Sequence, residues 1–201
     1  MIQNSETWKW LAKNAYPLTL SQGNLSYDAR RKVTDTARYS LDKDPSQNEQ
    51  DVVLRCMLAT LAEQTIEGWT DGRMLGGREN YDNPFSFAFD VISNEGVRIE
   101  VKTHQSNSKW ISVTTGYEGD YPHGYGINLG PFMQHGIADM MFMFDVTEQS
   151  KGVYLFTPKF MAGPKAFAPA SGLVQKSQGD GWYLRSCSQE EYPYHRFTSR
   201  N

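Results

Sequence analysis

Within FDVISNEGVRIEVKT, from Phe89 to Thr103, three residues have the types needed to hold a hard cation and handle a phosphate: Asp90, Glu100 and Lys102. Two carboxylates offer anionic oxygens to a divalent ion such as Mg2+ or Mn2+. An ammonium group beside them can orient a water and offset phosphate charge. Strand alternation puts Phe85, Phe87, Phe89 and Val91 on one face of a first strand, and Ser86, Ala88 and Asp90 on the other. In a second strand Val97, Ile99 and Val101 share a face, opposite Arg98, Glu100 and Lys102. A three-residue loop, Asn94-Glu95-Gly96, with its glycine in the left-handed conformation, pairs Ile92 with Arg98, Val91 with Ile99 and Asp90 with Glu100. Like charges set directly opposite, with Cβ atoms about 4.5–5.5 Å apart, destabilise a sheet. A cation shared between the two carboxylates, with the Val101 carbonyl as a further ligand, is the expected compensation. His104 falls on the Glu100 and Lys102 face by parity and is a candidate phosphate contact.

Such a hairpin must be held by larger elements. The longest helical pattern, SQNEQDVVLRCMLATLAEQTIEGW, opens at Ser46 with Glu49 at capping-box spacing and stops near Gly68. Its apolar stripe runs through Val53, Leu54, Met57, Leu58 and Leu61. Glu49 and Glu63 lie fourteen residues apart and within about 40° on one helix face. Either can complete the carboxylate set, with Glu49 favoured because the loop after Gly68 leaves the chain room to return. Two helices precede this one: SETWKWLAKNA, capped by Ser5, and DARRKVTDTARYSLDKD, which carries Arg30, Arg31, Lys32 and Arg38 and ends at Pro45. GWTDGRMLGGRENYDNP reads as a loop with room for a short strand, and WISVTT as a strand. ADMMFMFDVTE and KGVYLFTP read as buried strands across a short turn. Helices followed by strands indicate an α/β or α+β sheet domain.

Asp90, nine intervening residues, then Glu100-Val101-Lys102, after a helix carrying glutamate, resembles the PD-(D/E)XK nuclease superfamily. The motifs cover residues 46–103, and Phe89 stands where the motif's name has proline. The resemblance implies a restriction-endonuclease-like α/β fold, a mixed β-sheet core flanked by α-helices. It implies a metal-dependent DNA endonuclease in which Asp90, Glu100 and Val101 hold Mg2+, with Mn2+ substituting. Lys102 would orient the attacking water, and Glu49 or Glu63 would complete the site. A homodimer is a corollary, since cutting both strands of a duplex calls for two active sites. The competing class is a non-enzymatic nucleic-acid or protein-binding assembly protein on the same fold.

The 201 residues favour one domain, with a core over about 46–160, a helical segment 1–45 and an irregular segment 161–201 that has room for more helix. Net charge is −3, unevenly spread: residues 1–45 carry +2, residues 46–150 carry −9 and residues 151–201 carry +4. That pattern suits a metal centre flanked by polyanion-holding surfaces, with Arg30, Arg31, Lys32, Arg38 and His104 as candidate DNA contacts. Tyr117, Tyr121 and Tyr125, in a glycine-rich segment with His123 and His135, are candidates for a DNA-contacting or dimer-forming loop. Cys56 and Cys187 have no zinc spacing and suggest no disulfide framework, and the glycines around Gly76 lack the Lys-Ser/Thr of a phosphate loop. No apolar run reaches the roughly 20 residues of a membrane span. The cytoplasm is the expected compartment.

Overall fold

The computed structural model of the chain describes residues 1–76, 83, 85, 88–105, 110–122, 126–185 and 192–198. Helix α1 (Glu6–Asn14) starts where the Ser5 hydroxyl accepts from the Trp8 N–H at 3.1 Å, as its residue type predicts. Helix α2 (Tyr27–Lys43) is capped in the same way by Ser26. Helix α3 (Glu49–Trp69) departs from expectation at its start: Asn48, not Ser46, is the cap and accepts from the Asp51 N–H at 3.1 Å. Ser46 is already engaged with the Asp44 carboxylate. The packed face of α3 runs through Val52, Leu58, Leu61, Ala62 and Ile66, which turns Val53 outward at 41% exposure. The helix passes Gly68 and ends at Thr70, whose hydroxyl donates to the Ile66 carbonyl.

Seven of the described strands form one mixed sheet. They are β1 (Leu18–Ser21), β2 (Arg73–Met74), β3 (Val91–Ile92), β4 (Arg98–His104), β7 (Met140–Ser150), β8 (Val153–Ala162) and β11 (Tyr194–Arg196). The order is β1-β8-β7-β4-β3-β2, with β11 also pairing β8; β4 and β7 are parallel and the other pairs antiparallel. A second sheet has the order β6-β5-β10-β9 and contains β5 (Ile111–Thr114), β6 (Ile127–Asn128), β9 (Val174–Lys176) and β10 (Trp182–Leu184). The chain between β4 and β7 thus leaves the large sheet to build part of the small one.

Helices α1–α3 cover one face of the large sheet. Their core includes Leu11, Leu61, Ile66, Ile99, Phe142, Phe144 and Phe156, each fully buried. The opposite face, through Met141, Met143 and Phe160, packs on Ile111, Val113 and Leu184 of the small sheet and on Phe132 of a short helix, α4 (Gly130–His135). Strand β1, strand β6 and helix α4 were not foreseen from the sequence. Among its described residues, the segment after Ala162, expected to have room for helix, carries 3-10 turns at Pro164–Phe167 and Pro169–Ser171 and three short strands. The architecture is mixed α/β.

Candidate active site

The β3–β4 hairpin has the expected register, Val91 with Ile99 and Ile92 with Arg98. It turns through Asn94-Glu95-Gly96 with Gly96 at φ +85° and the Ser93 N–H bonded to the Val97 carbonyl at 2.9 Å. Among the described residues the first strand is short, with β3 at Val91–Ile92 and residues 88–90 outside it. The Asp90 N–H donates to the carbonyl of Ile99 at 2.9 Å, the residue already paired with Val91. Two residues therefore face one, the arrangement of a β-bulge, which re-aims a side chain. The extra residue flips the chain before it: Phe89 belongs to the small-sheet core and Val91 to the helix-side core. The expected shared face of Phe89 and Val91 is thereby broken, and Phe87 lies outside the described residues.

The bulge places the Asp90 carboxylate where a strand backbone would have been, and Asp90 Oδ2 accepts from the Val101 N–H at 2.7 Å. Ile99 and Val101 direct their backbone groups to the β3 side of β4, so the Val101 carbonyl faces the Asp90 side rather than β7. Glu100 projects from the same stretch at 4% exposure and accepts a hydrogen bond and ion pair from Lys102. Its second oxygen, Oε2, is buried with no hydrogen-bond partner among the described residues.

The helix carboxylate nearest this cluster is Glu63, not Glu49. Glu63 is 6% exposed, and the charges of Asp90 and Glu100 both act on it. Glu49 is exposed in the first turn of α3, beside Val33 and Arg38, about 21 Å along the helix axis from Glu63. A shared helix face does not bring both ends of a long helix to one point, and the structure has Glu63 rather than Glu49 beside the carboxylate cluster. Burial pushes the Glu63 carboxyl up to about 7, with Asp90 adding and Lys32 opposing. Burial likewise lifts Glu100 to about 7 against the pull of Lys102. For Lys102, burial favours the neutral amine, but Glu100 and Asp90 outweigh it and hold the ammonium above its usual range.

Lys32, expected as a DNA contact, is only 7% exposed and ion-paired to Glu63 at 2.6 Å. The reason is rotational: Lys32 is on the α2 face that packs on α3. Arg30 and Arg31 are exposed, with Arg30 bonded to the Leu25 carbonyl and Arg31 paired with Asp28. Arg38 is exposed on the side of α2 near Glu49. His104 is 8% exposed and shares a 2.9 Å hydrogen bond with Asp145, which Lys159 also contacts, so it is not an open phosphate contact. Tyr121 is a core residue whose hydroxyl donates to the Phe167 carbonyl at 2.6 Å, while Tyr117 and His135 are exposed. His123, Tyr125 and Cys187 lie outside the described residues. The sequence of a polar helix gives no sign of which cation its tertiary partner will cover.

Among the described residues, no three acidic, histidine or cysteine side chains are gathered as a closed metal site. The donor set nevertheless suits a hard dication. Glu100 Oε2 lacks a hydrogen-bond partner, Asp90 is beside it, and Mg2+ characteristically takes one or two carboxylates and keeps water or phosphate elsewhere. Lys32 pairs with Glu63 and Lys102 with Glu100, so each buried carboxylate faces a cation.

The model of the family described as bacteriophage T4 endonuclease IV matches residues 1–186. The chain is also similar to Endonuclease IV of Enterobacteria phage T4, 43% identical over 169 residues, which is 83% of this chain and 90% of that protein. Residues 1–186 take in the three helices, the bulged hairpin, the small sheet and the large sheet apart from β11. The chain belongs to the bacteriophage T4 endonuclease IV family.

Proposed function

We propose that the chain is a metal-dependent DNA endonuclease with a restriction-endonuclease-like fold and an active centre of the PD-(D/E)XK type. The observation that carries this reading is the bulge at Asp90, which turns a carboxylate toward Glu100 and Lys102 in a chain of an endonuclease family. Asp90, Glu100 and the Val101 carbonyl would hold Mg2+, or Mn2+ in its place, and Glu63 would complete the set. The ion, when bound, polarises a phosphate oxygen and acidifies a water.

Lys102 carries three donors and no acceptor while charged, and its carboxylate neighbours keep it charged. It therefore cannot be the base. It orients a water through the water's lone pair and donates to the phosphate oxygens as negative charge builds. As the water oxygen bonds to phosphorus and the leaving oxygen departs, the water's proton must pass to an oxygen acceptor, a carboxylate or the substrate phosphate. Lys32 keeps Glu63 turned into the site from the helix side.

The test is cleavage of plasmid and linear DNA in Mg2+, Mn2+ or EDTA by the unaltered chain, Asp90→Ala, Lys102→Ala, Glu63→Gln and Glu49→Gln. Metal-dependent products that vanish in the first two variants, fall at least about a hundredfold in Glu63→Gln and persist in Glu49→Gln are expected. Products that survive both Asp90→Ala and Lys102→Ala would overturn this active-site assignment, and no products on any DNA would favour a non-enzymatic binding protein.

A further inference from the structure

Helices α2 and α3 leave between them a groove of about 450 Å³ that is not part of the hairpin. Its α2 wall carries Lys32, Thr36, Tyr39, Ser40 and Lys43, spaced for one helix face. Arg55, Cys56 and Glu63 line the α3 wall. Glu63 and Lys32 line this groove, and the charges of Asp90 and Glu100 act on Glu63, so one end of the groove lies against the candidate active centre across the Lys32–Glu63 pair. Among the described residues Glu63 is the one acidic side chain lining it, and Lys32 already neutralises that carboxylate. What remains along the outer groove is cationic, from Lys43 and Arg55, with Lys43 also lying 5.5 Å over the Tyr39 ring. Arg55 is held by the Gln47 side chain at 2.6 Å.

From this we propose that the α2–α3 groove holds one nucleotide of the strand being cut, next to the scissile phosphate. Its phosphate lies against Lys43 and Arg55 and its base against Tyr39. The inference rests on the nuclease reading for the identity of the strand. Cations flanking an aromatic ring are the pairing by which proteins hold single nucleotides of a strand, and the volume lies within the about 300–1,000 Å³ of small-ligand sites. It is far too narrow for a duplex. The DNA-facing side of α2 is therefore the Tyr39 and Lys43 face, not the one bearing Arg30, Arg31 and Arg38.

Cys56 gives a reporter inside the groove without altering the chain. It is a free, half-buried thiol, and burial raises its pKa, so modification is run above neutral pH. N-ethylmaleimide labelling of the Cys56 peptide is followed by mass spectrometry, with Ca2+ replacing Mg2+ and with a 20-nucleotide oligonucleotide, single-stranded or duplex, at saturation. Labelling slowed at least about tenfold by DNA supports the groove. So do Lys43→Glu and Arg55→Glu variants that melt normally, weaken binding about tenfold each and lower the salt slope by about one per site. Unchanged labelling at saturating DNA, or charge reversals that alter the Kd less than twofold, overturns it. Plasmid cleavage in parallel separates the two readings. Cleavage lost in Asp90→Ala with an unprotected Cys56 leaves the nuclease standing and removes the groove. Protection without cleavage on any DNA keeps the groove and removes the nuclease.

Discussion

A lysine and a glutamate each less than a tenth exposed, 2.6 Å apart, are costly to bury and hard to separate. Removing one partner of such a pair leaves an uncompensated charge, typically at about 3–5 kcal/mol. Lys32→Met is therefore expected to lose about that much stability at pH 8, measured by denaturant unfolding. The loss shrinks at pH 6, where Glu63 can take a proton instead, and Lys32→Met/Glu63→Leu recovers most of it. A second consequence follows from the raised carboxyls. Glu63 and Glu100 move from 4.5 in the free residue to about 7 when folded, so between those values the folded state binds more protons than the unfolded one. Their contribution to stability is full below pH 4.5 and is lost as pH rises through about 7. In EDTA, Glu63→Gln should flatten that part of the stability–pH curve, and a curve of unchanged slope would remove the shift. None of this was legible in sequence. Asp90, Glu100 and Lys102 stood out because a hairpin is local and its parity is short-range. Lys32 meets Glu63 only once two helices pack.

At the scale of elements, the bulge at Asp90 decides the site. Its carboxylate both points toward Glu100 and satisfies the Val101 N–H, which the shortened β3 does not reach. The two roles separate by substitution. Asp90→Asn keeps an oxygen acceptor for that N–H, whereas Asp90→Ala leaves it unsatisfied, a difference of about 1–3 kcal/mol. Both variants should be inactive, and only the alanine variant should melt substantially lower; equal melting would mean the N–H finds another partner. Gly72 fixes the other side of this junction. A Cβ there would meet the Ile92 carbonyl oxygen at 2.5 Å and Thr70 Oγ1 at 2.8 Å, in the passage where α3 hands the chain to β2 beside the hairpin. The Glu67 carboxylate, accepting from the Met74 N–H at 2.8 Å, closes the same passage. The three helices were readable from helical residue spacing bounded by proline or glycine, and β4, β7 and β8 from apolar alternation or apolar runs beside a short turn. Strand β1 was not, and of the small sheet only β5, within WISVTT, was. Leu18–Ser21 is four residues long, and the central pairing of the small sheet joins Val113 to Trp182, which no local pattern announces.

Across the whole molecule, charge and fold meet at one point. The segment with nine excess negative charges, residues 46–150, contains Glu63, Asp90 and Glu100, and two lysines from different parts of the chain partly neutralise them. Segment totals could locate that acidity along the chain but not gather it in space. A site held this way couples metal binding to folding. An ion that binds the folded chain alone at one hundred times its Kd adds about 2.7 kcal/mol, or about 5–10 °C for a chain of this size. Mg2+ or Mn2+ should accordingly raise the thermal midpoint relative to EDTA. The rise should be larger at pH 8 than at pH 6, because at pH 6 protons on the raised carboxyls compete with the ion. Glu100→Gln should abolish most of it, since the amide keeps the shape and removes the anionic ligand. The coupling also predicts a direction for Lys32. Removing its charge lowers stability in EDTA but leaves Glu63 with greater need of a cation, so the gain from Mn2+ in Lys32→Met should exceed that of the unaltered chain. Were the midpoint indifferent to Mg2+ and Mn2+ at both pH values, the carboxylate cluster would be an internally neutralised support for the helix–sheet junction, and the metal centre would have to be sought elsewhere.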